Sequence, residues 1–153
     1  MRENRRAIDR RTLLTGGLSA FALAAVAGRS EGAEPTAVER ANMRVVEEFC
    51  NAWPSHDLEK ILAFFSENGA YRMTETMEPA KGREALTARI NTIIKNVNKF
   101  EILDTWARGP MVINERIDTF SNFQLKSWRG VGVFFLRDQK IVEWYDYTIA
   151  AER

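Results

Sequence analysis

The chain is poor in reactive and metal-binding side chains. Of its 153 residues one is cysteine, Cys50, and one is histidine, His56. A lone cysteine excludes an intrachain disulfide, and the two residues together exclude a zinc site built from several His or Cys ligands. A Cys–His nucleophile would have to use these two, near a helix end, and a Ser–His–Asp triad could use only His56. Neither sign of charge dominates, with 22 Lys and Arg against 21 Asp and Glu. That balance argues against a nucleic-acid-binding stripe, so no nucleic-acid partner is expected. No uncharged apolar run reaches the ~20 residues of a membrane-spanning helix. What remains is an ordinary globular composition, 45% hydrophobic and 28% charged, with a length that suits one domain.

Residues 1–27 differ in kind from the rest. Arg2, Arg5, Arg6, Arg10 and Arg11 precede an uncharged run from Leu13 to Ala27. A basic start, an apolar centre and small residues at the end are the order of a signal peptide. Arg10-Arg11-Thr12-Leu13-Leu14 resembles the twin-arginine export motif, so the export machinery is an expected partner and the periplasm the expected location. Ala25-Val26-Ala27 predicts cleavage after Ala27, with Ala33 as a second candidate. The alternative is a retained membrane anchor, for which the run is short. Cleavage removes five arginines against Glu3 and Asp9, which takes the formal charge from +1 to −2.

Residues 28–35 read as a flexible linker, and residues 36–153 as the domain. Thr36-Ala37-Val38-Glu39 fits a capping box. Val38, Ala41, Val45, Phe49 and Trp53 recur at helical spacing up to Pro54. Leu58, Ile61, Leu62 and Phe65 predict a second, short helix. Residues 70–73 read as a short strand and 74–82 as a loop. Leu86, Ile90, Ile93, Ile94 and Val97 predict a third helix. The pattern then turns extended, with strands over 100–106, 111–120, 125–136 and 141–149. Turns fall at Arg108-Gly109-Pro110 and Arg137-Asp138-Gln139-Lys140. Helices followed by a meander give an α+β class.

Strand alternation locates the chemistry. Val112, Asn114, Arg116, Asp118 and Phe120 share one face, and Val142, Trp144, Asp146 and Thr148 share another. Charges on an apolar strand set are seldom buried unless paired. One reading is a structural ion pair that pins register. The other is an acid–base unit, in which two carboxylates beside one guanidinium divide the taking and giving of a proton. Spacing alone does not choose between them.

Asn114-Glu115-Arg116-Ile117-Asp118 resembles the Thr-Glu-Arg-x-Asp segment of limonene-1,2-epoxide hydrolases, and Trp144-Tyr145-Asp146-Tyr147 resembles their Trp-Arg-Asp-Tyr segment. Gly132-Val133-Phe134, Lys140-Ile141, Tyr71 and Pro79-Ala80-Lys81-Gly82-Arg83 fall at matching places, so the likeness covers roughly residues 36–150. The resemblance implies a nuclear-transport-factor-2-like (SnoaL-like) cone, a curved mixed sheet with three N-terminal helices around an apolar pocket. It implies Asp146 as general base on a water, Asp118 as general acid on the epoxide oxygen, and Arg116 between them tuning both. Tyr71 would hold the water. The implied step is concerted, without cofactor or metal, and the implied assembly is a homodimer through the sheet.

Departures bear on the water site. The family's Asn two residues after the Tyr is here Met73, with Arg72 or Thr74 as polar substitutes, and the following loop is one residue longer. Tyr145 replaces an Arg beside the base but points away from it by strand alternation. Met73 favours an isomerase- or cyclase-type proton transfer in the same pocket as an alternative to hydrolysis, and a non-catalytic ligand-binding module is a further alternative, since the cone alone does not exclude it.

The four tryptophans and the phenylalanines are expected mostly in the core. Met73, Ile94, Phe120 and Trp144 are expected to line the pocket of a small apolar substrate, terpenoid or steroid-like. Gly130 and Gly132 would relieve strand curvature or make room for a ligand. His56 reads as a solvated loop residue and Cys50 as an inert packed thiol.

Overall fold

The structure, a computed structural model, describes residues 34–122 and 124–152. The expected signal segment and its cleavage site lie outside the described residues. Among the described residues no helix is long and apolar enough to cross a membrane.

Helix α1 (Ala37–Ala52) begins where the sequence places its cap. The Thr36 hydroxyl accepts the Glu39 N–H, and Glu39 Oε2 accepts the Thr36 N–H at 2.7 Å. Glu39 is also tied to the sheet, since its Oε1 accepts the Gly109 N–H at 2.8 Å. The cap thereby fixes α1 against the turn at Gly109. Cleanly spaced apolar residues bury one face: Val45, Val46, Phe49, Cys50 and Ala52. Pro54 then stands in a 3₁₀ turn over Trp53–Ser55. His56 follows with a left-handed backbone, and its Nε2 lies 2.7 Å from the Val97 carbonyl oxygen.

Helix α2 (Leu58–Leu62) is capped by Asp57. Strands β1 (Phe65–Arg72) and β2 (Ala80–Lys81) come before helix α3 (Gly82–Asn91), and β3 (Val97–Arg108), β4 (Met111–Phe120), β5 (Ser127–Arg137) and β6 (Lys140–Glu152) follow it. They form one mixed sheet in the order β2-β1-β6-β5-β4-β3. The long strands pair antiparallel, and β1 runs parallel to β6.

Three elements differ from expectation. β2 pairs two residues of the stretch read as a loop with the end of β1. The third helix ends at Asn91, with a 3₁₀ turn over Ile94–Asn96, and Val97 already belongs to β3. β1 starts at Phe65, five residues early, because a bulge between Phe65 and Ala70 carries the polar stretch 66–69 outside the apolar alternation. The β5–β6 hairpin falls where expected, with Asp138 and Gln139 both at positive φ (51° and 58°), as a two-residue turn of the twisted type requires.

The core is aromatic and lies between α1 and the concave face of the sheet. The Phe49 ring meets Trp53, Phe65, Phe134 and Trp144 edge-on at centroid distances of 5.0–5.9 Å. Such pairs add about 0.5–1.5 kcal/mol each beyond area burial. Trp53, Trp128 and Trp144 are buried, whereas Trp106 stands on the outside, 44% exposed, with Leu103, Tyr147 and Ile149.

Candidate active site

The inward face of β4 carries Asn114, Arg116 and Asp118, all buried, and β6 adds Asp146. Asp146 lies two strands away from β4, with Gly132 of β5 between them in register. Arg116 crosses that gap. Its Nε donates to Asp118 Oδ1 at 3.0 Å and Oδ2 at 3.2 Å, and its Nη2 donates to Asp146 Oδ1 at 2.9 Å. Gly132 makes the crossing possible, since a Cβ there would overlap Arg116 Nη1 and the Phe134 ring. Gly130 does the same for the Trp128 ring. These two glycines therefore admit the protein's own side chains, besides lying on a strand with a bulge between Arg129 and Gly130.

The surroundings divide the two carboxylates. Asp146 accepts three donors besides facing Arg116's charge: Arg116 Nη2, the Trp144 indole N–H at 2.7 Å and the Tyr71 hydroxyl at 3.3 Å. Among the described residues Asp118 has Arg116 alone. Burial raises the proton affinity of both, and Arg116 opposes it. Asp118 is pushed up to about 7 by burial, against Arg116 and with help from the Asp146 charge. Burial works against the Arg116 cation too, but the two carboxylates outweigh it and hold its proton above the usual range. Arg116 places one positive charge between the two acids, and the donors around Asp146 favour its ionised form more than Arg116 alone favours that of Asp118. Both carboxylates thus stand on one guanidinium in unlike surroundings. Three ring faces enclose that guanidinium, Phe100 and Trp128 at 5.0 Å and Trp144 at 5.4 Å.

A cavity of about 80 Å³ opens onto both carboxylates. One water needs roughly 10–15 Å³ on this measure, so the space takes a small organic molecule rather than a single solvent molecule. Of the residues expected here, Tyr71, Met73, Asp118, Phe120 and Asp146 line it. Ile94 and Trp144 do not. The 3₁₀ turn after α3 sends Ile94 into the core and turns Ile93 to the cavity instead. Trp144 lies beneath Tyr71, stacked at 3.7 Å, and reaches the site through its indole N–H. Thr74, offered by the sequence as a polar substitute at the water site, lines it too, with Trp128, which was expected in the core, and with Phe100 and Leu125, which were not expected here. Phe100 and Trp128 flank Asp118 in register on β3 and β5. That pairing was the available signal, and it needs register rather than alternation alone.

Tyr71 is buried, and burial followed by the Asp146 charge keeps its hydroxyl protonated well above the usual range. Cys50 packs behind the site with its Sγ 3.6 Å from Asn114 Oδ1, and burial raises the thiol to about 12, which makes it a poor nucleophile. His56 lies outside the cavity lining. Among the described residues no three His, Cys, Asp or Glu side chains converge as a metal site.

Known proteins share this frame. A solved LEH-like epoxide hydrolase of M. tuberculosis is 24% identical, with 72% of this chain and 84% of that one aligned at a TM-score of 0.64. An epoxide hydrolase/cyclase-like enzyme of pyran ring formation in the polyether salinomycin is 19% identical, covering 71% and 91% at 0.66. A de novo designed protein with a curved β-sheet is also 19% identical, covering 71% and 85% at 0.60. A fold shared with a designed protein carries no activity by itself, so the chemistry has to be argued from the site. The profile of the SnoaL-like domain matches residues 46–144, a stretch that holds β1, α3, β3 to β5, Arg116 and Asp118, and the chain belongs to the SnoaL-like family.

Proposed function

We propose that the domain is a cofactor-independent acid–base enzyme that opens an apolar epoxide with water, exported by means of residues 1–27. The observation that carries this reading is Arg116 bridging Asp118 and Asp146 at the wall of an apolar cavity, with Asp118 poised near neutrality. Asp146 takes a proton from water as the water oxygen attacks a ring carbon. Asp118 gives its proton to the departing epoxide oxygen in the same step, which yields a diol and leaves Asp146 protonated and Asp118 ionised. One proton exchanged with solvent restores the site. Positioned acid–base groups of this kind contribute about 10²–10⁴ each in rate. Tyr71, whose hydroxyl donates to Asp146 Oδ2 at 3.3 Å and lies on the cavity wall, would hold the water by accepting one of its protons.

Met73 supports a second reading. A thioether lies on the cavity wall where a water-holding amide would serve hydrolysis. A nucleophile or acidic C–H within the substrate would then replace water, giving ring closure or isomerisation with the same two carboxylates.

Turnover in heavy-oxygen water separates these. With a panel of cyclic-alkene and terpene epoxides, the wild type should release singly labelled diol and Asp146→Asn should release none. Met73→Asn should raise the diol yield. Epoxide consumed without label would favour the second reading, and labelled diol from Asp146→Asn would remove Asp146 from the base role.

A further inference from the structure

Outside the trio, one polar chain links the protein surface to the cavity wall. β1 leaves the sheet after Arg72, and its last partner on β6 is Tyr145. The edge of β6 beyond that point would show bare N–H groups. Glu75 turns back onto it: one carboxylate oxygen accepts the Thr148 backbone N–H, and the other accepts the Thr148 hydroxyl at 3.5 Å. The backbone bonds that Glu75 accepts, from its own N–H and from Thr148, hold the carboxyl below its ordinary range.

The chain continues inward. Thr148 Oγ1 accepts the Trp128 indole N–H at 3.0 Å. A hydroxyl has a single proton, and with the indole N–H arriving at its oxygen that proton is directed to Glu75. Gly130 stands in register between Arg116 and Thr148. Its missing side chain lets the Trp128 ring lie flat across β5, with the indole N–H at Thr148 and the ring face at Arg116. Trp128 thus forms part of the cavity wall, and so do Met73 and Thr74, immediately before Glu75.

We propose that Trp128 is a specificity-determining wall of the cavity, and that Glu75 and Thr148 are positioning residues that fix its ring and the 73–75 segment against each other. The identity of the substrate, but not the linkage itself, rests on the epoxide-opening reading. Trp128 is 7% exposed while Thr148 stands at the surface, so an indole N–H that loses the Thr148 hydroxyl is drawn towards water for a partner, and the ring turns with it. The wall would then move into the cavity or away from Arg116. With the wall in place the cavity selects slender substrates over bulky ones.

The test uses the full chain labelled with ¹⁵N. The Trp128 indole resonance is assigned by its absence from Trp128→Phe. Glu75→Ala and Thr148→Val should each shift it and speed its solvent exchange by about tenfold, the consequence of losing one charge-assisted or buried bond. Thr148→Ser should restore it, and Glu75→Gln, whose amide oxygen still accepts the N–H, should fall between. The Trp106 indole, on the outer face, should stay in place and so reports that the fold is intact. An unmoved Trp128 resonance in Glu75→Gln and Glu75→Ala would overturn the linkage. For an epoxide that the wild type turns over, Thr148→Val should raise KM about tenfold with a smaller change in kcat, and Trp128→Leu should shift preference towards bulkier epoxides by about tenfold. Unchanged selectivity in Trp128→Leu would overturn the wall. If no epoxide is consumed, the functional reading fails while the resonance still decides the linkage.

Discussion

Strand β4 carries two ion pairs of the same chemistry on opposite faces. Inward, Arg116 meets Asp118 with the side chains 0% and 5% exposed. Outward, one residue before Arg116, Glu115 meets Arg129 of β5 with the side chains 24% and 50% exposed. The outer pair is solvated whether or not it forms, so it adds little. The inner pair has given up its water and depends wholly on its partners. Burial turns an ordinary Arg–Asp contact into one that raises the proton affinity of its carboxylate, and the pleat decides which pair is placed there.

Breaking the inner pair should cost most. Arg116→Met strands two buried carboxylates, and we expect a loss of about 3–5 kcal/mol in denaturant unfolding. A loss under about 1 kcal/mol would mean that the carboxylates had found other solvation. The next effect is in pH. Asp118 has a raised value in the folded state, about 7 against 3.8 for an ordinary aspartate, so the folded state binds the extra proton between these values. Its contribution to stability is present below pH ~4 and is lost as pH rises through ~7, with a slope of at most roughly 1.4 kcal/mol per pH unit. Asp146 shifts in the same direction and adds to it. Asp118→Asn should flatten that slope in melts taken from pH 4 to 8. On the proposed mechanism the same proton is the one given to the epoxide, so kcat/KM should fall as pH rises above about 7.

A smaller effect is expected at the bridge over β5. Gly132→Ala pushes a methyl group into Arg116 Nη1 and Phe134 and should destabilise by about 1–3 kcal/mol, with a shift of the pH profile because Arg116 is displaced from Asp146. A Gly→Ala change at exposed Gly109 would not report on the site. The smallest effect belongs to the outer pair. Arg129→Gln should change stability by at most about 1 kcal/mol and leave the pH profile alone. A larger change there would erase the distinction between the two faces.

Much of the site was legible because strand alternation is a strict rule. Period-two reading put Arg116 and Asp118 on one face and Asp146 with Trp144 on another, and the sheet joins those faces. The capping box of α1 and the hairpin at Asp138-Gln139 were legible because their signals are local. What depended on register or on a break in periodicity was not. Ile93 and Ile94 exchange places because a 3₁₀ turn resets the helical phase. Trp128 reaches Arg116 across Gly130, and Arg116 reaches Asp146 across Gly132, which only the alignment of three strands reveals. β1 was shortened in the reading because Ser66-Glu67-Asn68-Gly69 looks like a turn and is a bulged strand.

The most direct measurement is the titration of the two buried carboxyl groups by ¹³C NMR, with Asp118→Asn and Asp146→Asn for assignment. One proton shared by the pair should appear as an Asp146 carboxyl that ionises at lower pH than Asp118, beside an Asp118 carboxyl that loses its proton near pH 7. Two carboxylates both ionised from pH 5 upward would contradict the division of acid and base between them, and would leave the trio as a structural ion network.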